Sequence, residues 1–201
     1  MKRINVNYFN GRKFGGFFSK AIAIGGLIRR GKISNTTHVE IQFADGVIWN
    51  GVNDRWSFSS REASRDGEAG TGFSVIDYTQ IGHWCCYSFM VSDKNYRKVF
   101  RSCKAINGKK YDRKAILGFT FFWRWFLPKA IPAYHSKDEF ICSEAVYQVG
   151  IGILWNQVKN LIPSPYKLKS MMGTRNTQPI KLDRRGIMIH TKSLDLSKQA
   201  R

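Results

Sequence analysis

Cys142 stands in the run DEFICSEAV, where an acidic, turn-like start gives way to apolar residues at helical spacing. That places its thiol at the start of a helix. A helix N-terminus offers unpaired N–H groups and a partial positive charge, which favour a thiolate. The same amides can hold the oxyanion formed when a carbonyl is attacked. A nucleophilic thiol also needs a base within hydrogen-bond reach, and the base needs an orienting partner. Four histidines are available. His38 lies in THVEIQFADGVIW (37–49), and Glu40, two residues on, shares its strand face. His83 begins a second strand-like run, His135 precedes Cys142 in a loop, and His190 falls in the tail. On spacing alone His38 and His135 both remain as bases. Taken singly, an exposed strand histidine and a structural cysteine are the commoner roles for such residues.

The elements that must hold these groups can be read from periodicity. RINVNYF reads as a strand, and GGFFSKAIAIGGLIRRGK as a buried helix with its cations at the negative pole. Residues 37–49 alternate polar and apolar around Asp45-Gly46, which predicts a β-hairpin. Residues 53–72 are polar and turn-rich and predict an exposed loop with at most a short helix. GFSVIDYTQ and HWCCYSFMVS predict two further strands. The clearest helix is SDKNYRKVFRSCKAINGKKYD. Ser92 is its N-cap, Asp93 suits its first turn, and Gly108 stops it. Tyr96, Val99, Phe100, Cys103 and Ile106 form its apolar stripe, so Cys103 reads as a core residue. AILGFTFFWRWFLP is a buried helix or a membrane-facing element. DEFICSEAVYQVGIGI resumes helical spacing, PSPYKLKS is a turn, and GIMIHT in the basic tail is a candidate edge strand.

Composition bounds the class. A chain of 201 residues with 43% hydrophobic and 14% aromatic content can bury a full core, which excludes overall disorder. No run approaches the length of a transmembrane helix, and no secretory leader is apparent, which points to the cytoplasm. Cys85, Cys86, Cys103 and Cys142 lack C-x-x-C spacing, against zinc or redox motifs and a disulfide framework. The net charge of +19 is uneven. Residues 1–35 hold eight Lys/Arg and no acids, and 92–137 hold twelve against two, while 36–91 hold three against seven. Segments 1–35 and 92–137 therefore predict surfaces for a polyanion: nucleic acid, anionic lipid or wall polymer. A solvated helix face explains part of the same charge.

The order of motifs resembles the circularly permuted papain-like cysteine hydrolases of the NlpC type, a group that includes the YiiX-like bacterial proteins and, more remotely, the lecithin retinol acyltransferase-like enzymes. The matching elements are SKAI at 19–22, THVEI at 37–41, GKKYD at 108–112, ILGF at 116–119 and ICSEAV at 141–146, with PSPYKL trailing. They span roughly residues 15–168. None is specific alone; their shared order carries the resemblance. It implies an α+β fold with an antiparallel sheet packed against helices, in a domain of residues 1–170 followed by a basic extension, 171–201. It further implies Cys142 as nucleophile and His38 as general base. The third member is Glu40 or, as in relatives that take a polar residue from the next strand, Asn50. A two-residue Asp45-Gly46 turn would pair Glu40 with Gly51 and favour Glu40; a turn over Ala44 to Gly46 would pair Glu40 with Asn50. Tyr111 corresponds to a tyrosine near the thiol, with core packing as its plainer role. The implied chemistry is acyl transfer without metal or organic cofactor, on a peptidoglycan peptide first and a lipid amide or ester next. The basic surface and the lack of a leader would suit a phage-encoded protein carried in a virion. A catalytically idle module that binds nucleic acid, and a peripheral protein inserting FFWRWF into an anionic membrane, are the competing expectations.

Overall fold

The computed structural model describes residues 1–14, 35–61, 69–76, 78, 83–112, 138–154, 168–169 and 194–195. The expected helix at 15–32, the stretch AILGFTFFWRWFLP, His135, His190 and GIMIHT lie outside these residues.

The fold is α+β, built on a six-stranded sheet whose described strands are β1 (Lys2–Asn10), β2 (Thr36–Phe43), β5 (Ser57–Arg61), β6 (Gly70–Ser74), β7 (Trp84–Val91) and β10 (Leu194–Asp195). Their order is β10-β7-β1-β2-β5-β6, antiparallel except for β10, which runs parallel to β7. The basic extension therefore supplies a sheet edge at 194–195. A single helical turn, α1 (Gly11–Phe14), follows β1. Two small pairs complete the strands: β3 (Val47–Trp49) with β4 (Val52–Asp54), and β8 (Lys110–Tyr111) parallel to β9 (Glu139–Phe140). Helices α2 (Asp93–Ala105) and α3 (Cys142–Gly150) pack on the sheet. Among the described residues no helix is long and apolar enough to cross a membrane.

Period-two alternation decides what each sheet face carries. Ile4, Val6 and Tyr8 of β1 pair with Phe43, Ile41 and Val39 of β2, and these side chains form the core with Phe58, Tyr87, Phe89 and Val91. Tyr96, Val99 and Cys103 of α2 and Ala145, Val146 and Val149 of α3 close that core from above. The α2 stripe is as the spacing predicts: Ser92 Oγ accepts from the Asn95 N–H at 3.3 Å, and burial pushes the Cys103 thiol well above its ordinary range. The opposite register positions, Asn5 with Gln42 and Asn7 with Glu40, are polar yet buried. Asn5 Nδ2 donates to Gln42 Oε1 at 2.9 Å, so part of this layer is satisfied within itself.

Two expectations are corrected. β2 does not form a hairpin with β3; it is an interior strand between β1 and β5. The tight hairpin is one step later. Trp49 pairs with Val52 across Asn50-Gly51, whose φ values of 48° and 77° both lie in the left-handed region that a type I′ turn requires. Asn-Gly meets that demand, whereas Asp45-Gly46 only redirects the chain out of β2, its Gly46 N–H donating to Phe43 O at 3.0 Å. The supposed loop 53–72 contains β5 and the start of β6. Ser57, Ser59 and Ser60 are fully buried there because each hydroxyl has a partner: Tyr78 Oη, Val39 O and Phe140 O. Small side chains let α3 lie close over this strand.

Candidate active site

Cys142 is the first residue of α3, entered from β9 through Ile141. The carbonyl of Phe140, two residues earlier, accepts from the Asp112 N–H (3.2 Å) and from Ser60 Oγ (2.5 Å). The backbone leading to the thiol is thus tied to two distant segments. In the first turn the Ala145 N–H closes on Ile141 O at 3.0 Å, and the Glu144 carboxyl takes a hydrogen bond from the Ile141 N–H, the acidic half of a capping box. The amides ahead of Ala145 are those an α-helix leaves without an internal acceptor. Burial pushes the Glu144 carboxyl up, and the Asp112 carboxylate adds to this against the Ile141 amide, giving about 7.

His38, near the start of β2, lies close enough to Cys142 for that residue's charge and hydrogen bonding to act on the imidazole. Its Nε2 lies 2.9 Å from Glu40 Oε1, which leaves Nδ1 as the nitrogen available to sulfur. The thiol is nearly buried, with Cys142 4% exposed, whereas the His38 side chain retains 22% of its surface. The imidazole is therefore the group a ligand would meet first.

Glu40 is buried and heavily partnered. Its Oε1 accepts from Arg61 Nε at 3.0 Å and Nη2 at 2.9 Å as well as from His38, and its Oε2 accepts from Tyr78 Oη at 3.0 Å. Arg61 Nη1 in turn donates to Gly72 O. Burial would raise the Glu40 carboxyl, but the Arg61 charge, followed by His38, outweighs it and brings it down to about 2. An ionised carboxylate has no proton to give, so Nε2–H donates and the ring is held in one orientation. Burial likewise pushes the His38 imidazole down. The charge and hydrogen bond of Cys142, then those of Glu40, outweigh burial and raise it to about 9. A thiol, an imidazole and a carboxylate thus stand in series, the cation Arg61 behind them.

The other expected residues fall as follows. Asn50 is exposed at the tip of the β3–β4 ribbon, which is not bonded to β2, so it does not join His38. Tyr111 sits on β8 in register with Phe140, partly buried beside the segment that enters α3. His83 lies in the turn just before β7, its ring edge-on to Phe9. Sequence reasoning missed Arg61 and Tyr78. Arg61 ends a serine-rich run that reads as loop, and Tyr78 lies 38 residues from the glutamate it touches. The alternation Ser-Phe-Ser-Ser-Arg was the available signal, weak because serine is a poor strand former.

Together these features define an α+β protein with a cysteine–histidine–glutamate series at a helix N-terminus. No family model matches the chain, and no curated protein matches it.

Proposed function

We propose that this chain is a thiol hydrolase of the permuted papain-like, NlpC type, cleaving an amide bond through a thioester on Cys142, with a peptidoglycan peptide as the first candidate substrate. The observation that carries this reading is the His38 ring held between the Cys142 thiol and the Glu40 carboxylate at the N-terminus of α3. In the first step His38 takes the thiol proton and Sγ bonds to the carbonyl carbon. The amides at the α3 N-terminus hold the resulting oxyanion. The imidazolium then protonates the departing amine, leaving the acyl group on sulfur. Water, deprotonated by the same ring, attacks the thioester; the product is a carboxylic acid and the thiol returns. Glu40 keeps Nε2–H engaged throughout and favours the imidazolium. These steps call on no metal or organic cofactor. Tyr111 is left as a neighbour of the helix entry rather than a participant.

The test is alkylation by iodoacetamide followed peptide by peptide with mass spectrometry. Cys142 is expected to react at pH 6 much faster than a free cysteine, and His38→Ala to abolish the difference. Equal rates in the two proteins would overturn the reading. Digestion of muropeptides by the wild-type chain but not by Cys142→Ser would then assign the substrate; cleavage of a lipid amide or ester instead would reassign it while keeping the chemistry.

A further inference from the structure

The outer face of α2 carries Lys94, Arg97, Lys98, Arg101 and Lys104, all exposed, opposite the buried stripe of Tyr96, Val99 and Cys103. They extend along about 15 Å of helix. Lys94/Arg97, Lys94/Lys98, Arg97/Arg101, Lys98/Arg101 and Arg101/Lys104 are neighbours at three- or four-residue spacing. Like charges at that spacing destabilise a helix. Among the described residues none of the five forms an ion pair, and the one acid of the helix, Asp93, faces the chain's N-terminal amine at 3.5 Å. Among the described residues, then, the repulsion along this face of the helix is uncompensated, and an anionic partner would relieve it.

The neighbourhood of the stripe selects the partner. The β3–β4 ribbon lies beside α2: Lys104 Nζ sits 5.8 Å from the Trp49 ring centroid, and Tyr96 Oη donates to Gly46 O at 3.1 Å. Around its Asn50-Gly51 tip this ribbon exposes Ile48 (67%) and Val52 (53%), with Trp49 partly exposed between them. Ile48 and Val52 project from opposite faces of the ribbon, so the tip is apolar on both sides. A phosphodiester backbone offers such aliphatic groups nothing to pack against. A bilayer interface offers acyl chains to the aliphatics, a polar–apolar boundary to Trp49 and lipid phosphates to the cations. We infer that α2 and the β3–β4 tip together form a docking surface for an anionic lipid bilayer. This surface is independent of the cysteine chemistry.

Flotation of the full chain with phosphatidylcholine vesicles, with and without phosphatidylglycerol, tests it. Binding is expected only with phosphatidylglycerol and should be lost at high salt. Lys98→Gln with Arg101→Gln, and separately Ile48→Ser with Val52→Ser, should each lower partitioning by about tenfold or more. Circular dichroism checks that these exposed variants remain folded. Binding that ignores phosphatidylglycerol would overturn the inference. So would binding that ignores the tip variant, or retention on duplex DNA at salt concentrations that release the vesicles, which would make nucleic acid the partner.

Discussion

Replacing Glu40 by glutamine keeps the shape of the side chain and removes its charge. A His38 pKa of about 9 instead of 6.5 means that its surroundings favour the imidazolium by about 3 kcal/mol, against the burial that opposes it. Cys142 is the largest upward contributor, and the Glu40 hydrogen bond and charge follow. Exchanging a charge-assisted hydrogen bond for a neutral one gives up about 1–2 kcal/mol. The variant also leaves the Arg61 charge without its carboxylate, which acts on His38 in the same direction. The His38 midpoint should therefore fall by about one pH unit or more. An NMR titration of the His38 Cε1–H signal reads this directly. A folded variant whose His38 still titrates near 9 would refute the argument, because Glu40 would then contribute nothing to the charge state of the ring.

Cys142→Ala should lower the His38 midpoint further than Glu40→Gln does, since the sulfur is the larger upward contributor; the same titration decides. Arg61→Gln strands a buried carboxylate and should destabilise the fold by about 3 kcal/mol in urea unfolding, with Arg61→Lys recovering part of it. The acid response follows with a definite sign. Glu40 is depressed to about 2, so its contribution is complete above its ordinary value of 4.5 and is lost as pH falls towards 2. In Arg61→Gln this loss should begin at higher pH. Glu144 has the opposite sign. Its carboxyl is raised to about 7, so stability declines as pH rises from 4.5 through 7. Glu144→Gln should stabilise the protein by up to about 3 kcal/mol at pH 8 and by little at pH 4, measured as the shift of the urea midpoint.

Much of the site was legible because its central pair is local. His38 and Glu40 share a face by strand periodicity alone, and the helix start at Cys142 follows from the change of pattern after Phe140. The strand pairing was not legible. Two turn signals, Asp45-Gly46 and Asn50-Gly51, compete within seven residues, and only the second places both central residues at positive φ. Placing the turn at Asp45-Gly46 paired β2 with the wrong strand, and the alternative turn over Ala44 to Gly46 offered Asn50 as a partner for Glu40. The partners of Glu40 were hidden for a different reason. A serine-rich strand becomes a sheet interior only when distant acceptors such as Val39 O and Phe140 O receive its hydroxyls, and no local pattern reports them.

The order in which the site's groups occur along the chain bears on how the site assembles. His38, Glu40, Arg61 and Tyr78 all precede Cys142 by more than sixty residues. During synthesis β1, β2 and β5 can pair, and the Glu40–Arg61 contact can close, while the cysteine is still unmade. The two ties on Phe140, from Ser60 and Asp112, then fix where α3 begins. Before those ties form, the thiol has neither its imidazole nor a settled helix start. If Cys142 is the nucleophile proposed above, the onset of fast alkylation during refolding would time the docking of α3 rather than the formation of the sheet.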